Sequence, residues 1–260
     1  MRIIGALVFV AAIVAGSAAL ASAQELYCIT PDDILPTGHL QFELGLDYGT
    51  DRSNDIETTA WGVPMSIQYG LTDIVNLDID WTAYNWENTD DPATQGATTE
   101  TNASGIGDVY AGARVKLPTA SFNSSFGGYL VLPVGGDFGS DELGYAADLA
   151  WGRETENGWY WYGQFGVEGV QPEGANDHEW TLSHSLNLDI PSGESMCWTA
   201  TLDGSTPLDP DGQTAWALLV GPTWSFGPDP AVDFSISGGH GLNEVGGDWL
   251  ISALLIVRTG

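Results

Sequence analysis

Basic residues are nearly absent from this chain: six Lys and Arg stand against 35 Asp and Glu, for a formal net charge of -29 at pH 7. So negative a polypeptide repels phosphate backbones, which excludes nucleic acid as a partner. Long hydrophobic runs are missing after the first two dozen residues, so no later segment is apolar enough to cross a membrane as a helix. Two cysteines are too few for a disulfide-built scaffold, and the four histidines lack metal-ligand spacing. There is no glycine-rich phosphate loop, zinc pattern or cofactor fingerprint, so neither a cofactor nor a bound metal is expected.

What is present begins with Met1 to Ala23: one cation, Arg2, an apolar run from Ile3 to Val14, and small residues ending Ala21-Ser22-Ala23. This pattern is a secretory signal peptide with an A-x-A cleavage site, implying export. Arg2 leaves with it while all 35 acidic residues stay, so the mature net charge becomes -30. Such acidity fits solubility in a saline habitat, loading with divalent cations, or a water-filled path that prefers cations.

The stretch Gly105 to Pro118 states the code of the mature chain. Val109, Ala111, Ala113, Val115 and Leu117 take one face, and Asp108, Tyr110, Gly112, Arg114 and Lys116 take the other. Strict alternation means a β-strand with one apolar and one polar side. The apolar side is small and even, as on a strand facing lipid outward and water inward. The pattern recurs to the end of the chain, in about twelve strands by count. Short turns such as Gly70-Leu71-Thr72-Asp73 and Pro191-Ser192-Gly193-Glu194 alternate with longer polar gaps, among them Asp51 to Thr59, Glu87 to Ser104 and Gly204 to Gly212. An even number of strands with short turns at one end and long loops at the other describes a transmembrane antiparallel up-and-down β-barrel. The expected organisation is a signal peptide at 1–23, a periplasmic N-terminal segment or plug at 24–37, and an outer-membrane barrel at 38–260.

Aromatic residues support this reading. Outward Tyr48, Trp61, Trp81, Trp180, Trp216 and Trp249 fall near the long-loop end, and Tyr69, Trp151, Trp159, Trp161, Trp198, Trp224 and Phe226 near the short-turn end. Two such bands are the interfacial girdles by which a barrel meets outer-membrane lipid. The inward positions include Glu43, Asp47, Asp78, Asp80, Asp108, Asp148, Glu168, Asp189 and Asp233, against Arg114 and Lys116. A lumen so lined favours cations over anions. The competing expectation is that these groups pair with one another and fill a narrow barrel.

Cys28 precedes the first strand and Cys197 points inward at the short-turn end. In an oxidising compartment a disulfide between them would tie the N-terminal segment into the barrel mouth; the alternative is two unpaired thiols. An enzyme of the outer-membrane lipase type is a further alternative, since Ser183-His184-Ser185 places a histidine on the outer wall. Catalysis there needs an outward serine within reach of His184, whereas Ser183 and Ser185 point inward, so no catalytic residue is expected. A closed structural or adhesive barrel is the remaining alternative; its acidic loops, Asp90-Asp91 and Asp209-Pro210-Asp211-Gly212, lack the ligand spacing of a calcium loop.

Three short motifs carry a family resemblance: Pro36-Thr37-Gly38 before the first strand, Gly105-Ile106-Gly107-Asp108 after a long loop, and Leu132-Pro133-Val134-Gly135-Gly136 closing the next strand. With them the chain resembles the outer-membrane family associated with the meta pathway of phenol degradation. The resemblance implies a bacterial outer-membrane barrel that passes small-molecule solutes, hydrophobic or aromatic, and it implies no catalytic residues.

Overall fold

A computed structural model of the protein describes residues 34–53, 56–91, 99–119, 121–134, 138–172, 177–193, 195–209, 212–227, 231–243, 245 and 247–259. The expected signal peptide and Cys28 lie outside the described residues. The described chain is all β, in thirteen segments: β1 (Leu40–Ser53), β2 (Ile56–Thr72), β3 (Val75–Asp91), β4 (Thr99–Gly105), β5 (Val109–Lys116), β6 (Asn123–Leu132), β7 (Gly144–Glu154), β8 (Tyr160–Val170), β9 (Glu179–Pro191), β10 (Met196–Pro207), β11 (Ala215–Phe226), β12 (Ala231–Gly241) and β13 (Trp249–Thr259). Each pairs antiparallel with its neighbour, β2 pairs β3, and β1 pairs both β2 and β13, so the sheet closes on itself. Because β4 and β5 both lie along β3 and are parted only by Ile106–Asp108, they form one interrupted stave, and the wall has twelve. Closure leaves no edge, which is the condition for a sheet to stand in hydrocarbon.

Burial is inverted relative to a water-soluble protein. Buried positions are dominated by Ser, Thr, Asn and Asp, while Leu46, Ile79, Phe126, Phe165, Val220 and Ile251 lie exposed on the outer wall. In water so much exposed apolar surface would cost about 25 cal/mol per Å². Against lipid it costs nothing, so the alternating sequence selects a barrel with a polar interior. The short turns use glycine where the backbone turns left-handed: Gly158 (φ 77), Gly193 (φ 107) and Gly227 (φ 72). Only a residue without Cβ adopts these angles freely.

Two expectations need correction. Among the described residues, the stretches Asp51 to Thr59 and Glu87 to Ser104 are strand rather than polar loop. β1 and β2 continue pairing to Ser53↔Ile56, and β3 and β4 pair from Asn85↔Gly105 to Asp91↔Thr99. Polar residues occupy both faces of these extensions, so their strands show no hydrophobic alternation. Cross-strand polar contacts replace it, among them the Arg52–Glu57 ion pair and the Thr58–Thr89 hydroxyl contact at 3.3 Å.

The second correction concerns parity. The pairing of β2 with β3 shifts between Val63 and Pro64, where Val63 faces Tyr84 but Pro64 faces Thr82. Pro64 has no N–H to give the ladder, and the extra residue, Ala83, is accommodated as a bulge. Beyond it the outward residues of β3 become Tyr84 and Trp86, with the Tyr84 ring 5.1 Å from that of Trp61. The sequence reading ends the apolar face at Trp81 and begins the polar gap at Glu87, so it assigns neither residue.

Candidate functional site

Of the sequence-predicted site residues, Asp78, Arg114 and Asp148 meet on the buried face of the described barrel. Arg114 is the centre of its largest polar network. Its Nη1 lies 2.8 Å from Asp148 Oδ1, and its Nη2 donates to Asp148 Oδ2 at 2.9 Å and to the Tyr129 hydroxyl at 3.0 Å. Nη1 also donates to Ser125 Oγ at 3.2 Å, while Nε stands 3.9 Å from Asp78. Tyr129 in turn donates to Asp78 at 3.2 Å. Four adjacent staves, β3, β5, β6 and β7, thus converge on one guanidinium. Gly112 and Gly127 leave room for Tyr129, since a Cβ on either would lie within 3 Å of its ring.

The remaining acids divide by partner. Asp233 pairs with Arg258, and Glu168 accepts from the Tyr110 hydroxyl across three intervening strand pairings. Glu43 accepts from Gln41 at 2.6 Å. Asp189 accepts from the Thr199 hydroxyl at 2.6 Å. Lys116 is exposed at the short-turn end. The sequence-level competing expectation, that lumen groups pair with one another, is met at Arg114.

Asp108 works at the opposite end. Both of its carboxylate oxygens accept from the Ser140 N–H at 2.9 Å, and Oδ1 also accepts from Val134 N–H at 3.2 Å. Two of the family-like motifs therefore meet: the Gly-Ile-Gly-Asp break between β4 and β5 holds the segment that follows β6. Ser140 bridges onward to Pro172, tying down the stretch before β7. The third motif anchors the entry to β1, where Thr37 donates to Asp73 through its hydroxyl at 2.6 Å and its N–H at 3.3 Å. These bonds hold the exposed Asp73 carboxyl below the usual carboxylate range.

Cys197 is buried and disulfide-bonded. His184 lies on the outer wall in a slot above Gly204, where an added Cβ would meet its Nε2 at 2.2 Å, with its ring centroid 4.4 Å from Trp216 and 6.4 Å from Phe165. Ser183 and Ser185 share the lumen face with Asn187, which donates to Ser185 at 3.3 Å. The neighbours of His184 are thus aromatic rings and a glycine, as suits a ring packed at a lipid-facing surface.

A family model described as "Putative MetA-pathway of phenol degradation" matches residues 24–258. The chain belongs to this family. Among solved structures, an outer membrane channel from Pseudomonas putida F1 is 12% identical with a TM-score of 0.68, the match covering 89% of this chain and 99% of that one. The transport unit of the autotransporter AIDA-I from Escherichia coli is 11% identical with a TM-score of 0.55, covering 94% and 98%. The translocator domain of the autotransporter NalP from Neisseria meningitidis is 12% identical with a TM-score of 0.52, covering 96% and 95%. At these identities the likeness is one of fold, the outer-membrane β-barrel. No curated protein matches the chain.

For this member of the family, sequence reading missed several lumen residues. Arg258, the partner of Asp233, was not among the expected lumen residues. Asp203, 2% exposed, was lost because β10 was expected to stop near Gly204, although it continues to Pro207. Strict alternation from Leu202 would have placed it inward. Tyr110 was read on a polar face and Tyr129 on none, and pattern alone does not reveal which acids they reach.

Proposed function

We propose that the chain is a passive channel of the bacterial outer membrane for small molecules, hydrophobic and aromatic compounds among them, with an acidic lumen that prefers cations. The carrying observation is the inverted barrel: a closed wall, apolar outside, with carboxylates distributed along its inner face. Such a wall fits lipid on one side and solutes on the other. Family membership and the shared fold with an outer membrane channel support the reading. Tyr84 and Trp86 extend the long-loop aromatic band that the girdle reading requires. In this reading the outward rings meet lipid at both interfaces, and a cleaved leader delivers the chain to the periplasm.

Carboxylates that face a low-dielectric bore lower the energy of a cation and raise that of an anion. A neutral aromatic solute is indifferent to that field and is selected by width and surface. Planar-bilayer recording of the folded mature protein in asymmetric KCl tests the proposal. Discrete steps with a cation-preferring reversal potential are expected. Folded protein that neither conducts nor speeds entry of a neutral aromatic solute into vesicles would refute it and leave a closed structural barrel.

A further inference from the structure

Buried oxygens without partners collect on the inward face of β1, β2 and β3. Strand pairing aligns two rows there. Glu43 faces Ser66 and Ser66 faces Asp80, while one step nearer the short turns Gln41 faces Gln68 and Gln68 faces Asp78. Gln41, Ser66 and Asp78 are 2%, 7% and 3% exposed. Even so, Gln41 Oε1, Ser66 Oγ and Asp78 Oδ1 have no hydrogen-bond partner. Buried oxygens in folded proteins almost always accept from something, so three on one patch imply a ligand or ordered water.

The neighbours of these oxygens decide between the two. Gln41 donates its amide Nε2 to Glu43 at 2.6 Å, which fixes the amide beside that carboxylate and leaves the carbonyl end over. Asp78 turns Oδ2 to the Tyr129 hydroxyl and to Arg114, so Oδ1 remains to accept. Charge is out of balance as well. Asp80 lies within electrostatic reach of both Glu43 and Asp78, and the guanidinium that also reaches it, that of Arg114, directs Nη1 and Nη2 to Asp148. Water would satisfy the oxygens but would not offset the carboxylate charge, whereas a cation does both. Glu43 and Asp80 are half-buried above the buried Gln41, Ser66 and Asp78, so the patch has a floor and a rim open to the lumen.

We propose that this patch binds a hard metal cation of the Ca²⁺ class, seated above the Ser66 hydroxyl between the carboxylates of Glu43 and Asp80. The site deepens the cation-preferring reading of the lumen and rests on that reading for the route by which the ion arrives. Strands two apart stand about 10 Å from each other, so the Glu43 and Asp80 side chains can close on one ion from either side of Ser66. Among the described residues no three acidic, His or Cys side chains are placed to hold a metal ion by themselves. Neutral oxygens therefore complete the shell: Ser66 Oγ, Gln41 Oε1 and waters, one of which donates to Asp78 Oδ1. A donor set of oxygen alone selects hard cations. Ca²⁺ accepts about six to eight oxygens in an irregular array, whereas Mg²⁺ demands a regular octahedron, so the mixed and flexible set here suits Ca²⁺.

Calorimetric titration with Ca²⁺ tests the site without relying on transport. The folded mature protein is stripped with a chelator and held in zwitterionic vesicles at about 0.1 M KCl, where exposed acids are screened. One saturable site per chain is expected, with a Kd of about 10⁻⁴–10⁻³ M. Glu43→Gln/Asp80→Asn should weaken it about tenfold or more, and the loop pair Asp209→Asn/Asp211→Asn should leave it unchanged. Gln41→Met and Ser66→Ala alter no charge and should each weaken it severalfold, which keeps the test open if the double variant fails to fold. A wild-type chain with no saturable site, or unchanged affinity in the lumen variants, would overturn the proposal and leave water on the patch. Equal affinity for Mg²⁺ would also overturn it, since diffuse attraction to an acidic chain does not distinguish the two ions. A saturable site in a protein that does not conduct would keep the site and sink the channel reading; conduction without the site would do the reverse.

Discussion

Replacing Arg114 with methionine tests whether the lumen wall is dry. The guanidinium side chain is 11% exposed, and its carboxylate partners Asp78 and Asp148 are 2% and 10% exposed. The substitution keeps the length and apolar stem of the side chain but deletes its charge, leaving two acids side by side with no cation between them. Removing one partner of a buried ion pair costs about 3–5 kcal/mol, because the remaining charge is desolvated without compensation. Loss of the bonds to Tyr129 and Ser125 belongs to the same change and is not added separately. Arg258→Met provides the internal comparison. That side chain is 32% exposed, so solvent screens its pair with Asp233 and the expected loss is about 1 kcal/mol. Equilibrium unfolding in urea from lipid vesicles, followed by tryptophan fluorescence, reads both. Arg114→Met/Asp148→Asn should recover a large part of the first loss, since one of the stranded charges is then gone. A loss near 1 kcal/mol for Arg114→Met would mean that water reaches the network and that its closeness confers little stability.

Gly221→Ala should destabilise by about 1–3 kcal/mol, because its Cβ would lie 1.9 Å from the Ile236 carbonyl oxygen, a backbone atom that cannot turn aside. Gly128→Ala, whose nearest neighbour is Phe126 Cε1 at 4.0 Å, should stay within about 0.5 kcal/mol in the same unfolding assay. Asp108→Ala removes the acceptor of the Ser140 and Val134 N–H groups, so cleavage at Asp141 and Glu142 by an acid-specific protease should rise about tenfold or more, while Asp108→Asn, which keeps one acceptor, should fall between. The Thr37–Asp73 clasp makes a pH prediction. Because the folded Asp73 carboxyl sits below its ordinary value, its contribution is complete above the unfolded carboxylate pKa of about 3.9 and is lost as pH falls through the depressed folded value. The stability difference between wild type and Thr37→Val should therefore be larger in unfolding at pH 7 than at pH 3.

Most of the fold was legible because the membrane imposes a simple rule. Alternation such as Leu40-Phe42-Leu44-Leu46-Tyr48 against Gln41-Glu43-Gly45-Asp47 needs no tertiary knowledge to read, and the strand paired to it, Trp61-Val63-Met65-Ile67-Tyr69, obeys the same period. Legibility failed where the rule lapses. Where both faces are polar there is no alternation to read, so the paired extensions around Arg52 and Asn88 looked like loops. At Pro64 a bulge reverses parity, and the proline that causes it sits on a different strand from Tyr84 and Trp86, whose faces it changes. The lumen was legible as a set of inward residues but not as a network, since Asp78 and Asp148 reach Arg114 only through strand order and register.

That network also bears on which acids can give the bore a field. Asp78 and Asp148 share the one Arg114 guanidinium and Asp233 holds Arg258, so two cations stand within a few ångströms of these three carboxylates and offset most of their charge. Asp47 and Asp189 belong to no ion pair among the described residues, and Asp189 accepts from the Thr199 hydroxyl at 2.6 Å. A cation preference would then originate on β1 and β9. The double variant Asp47→Asn/Asp189→Asn removes two such charges and should move the reversal potential in asymmetric KCl toward zero. Arg114→Met/Asp148→Asn removes one charge of each sign and should leave it where it was. If the two variants shifted the potential equally, the field would come from the total charge of the barrel and its loops, and the local arrangement of lumen pairs would carry no selectivity.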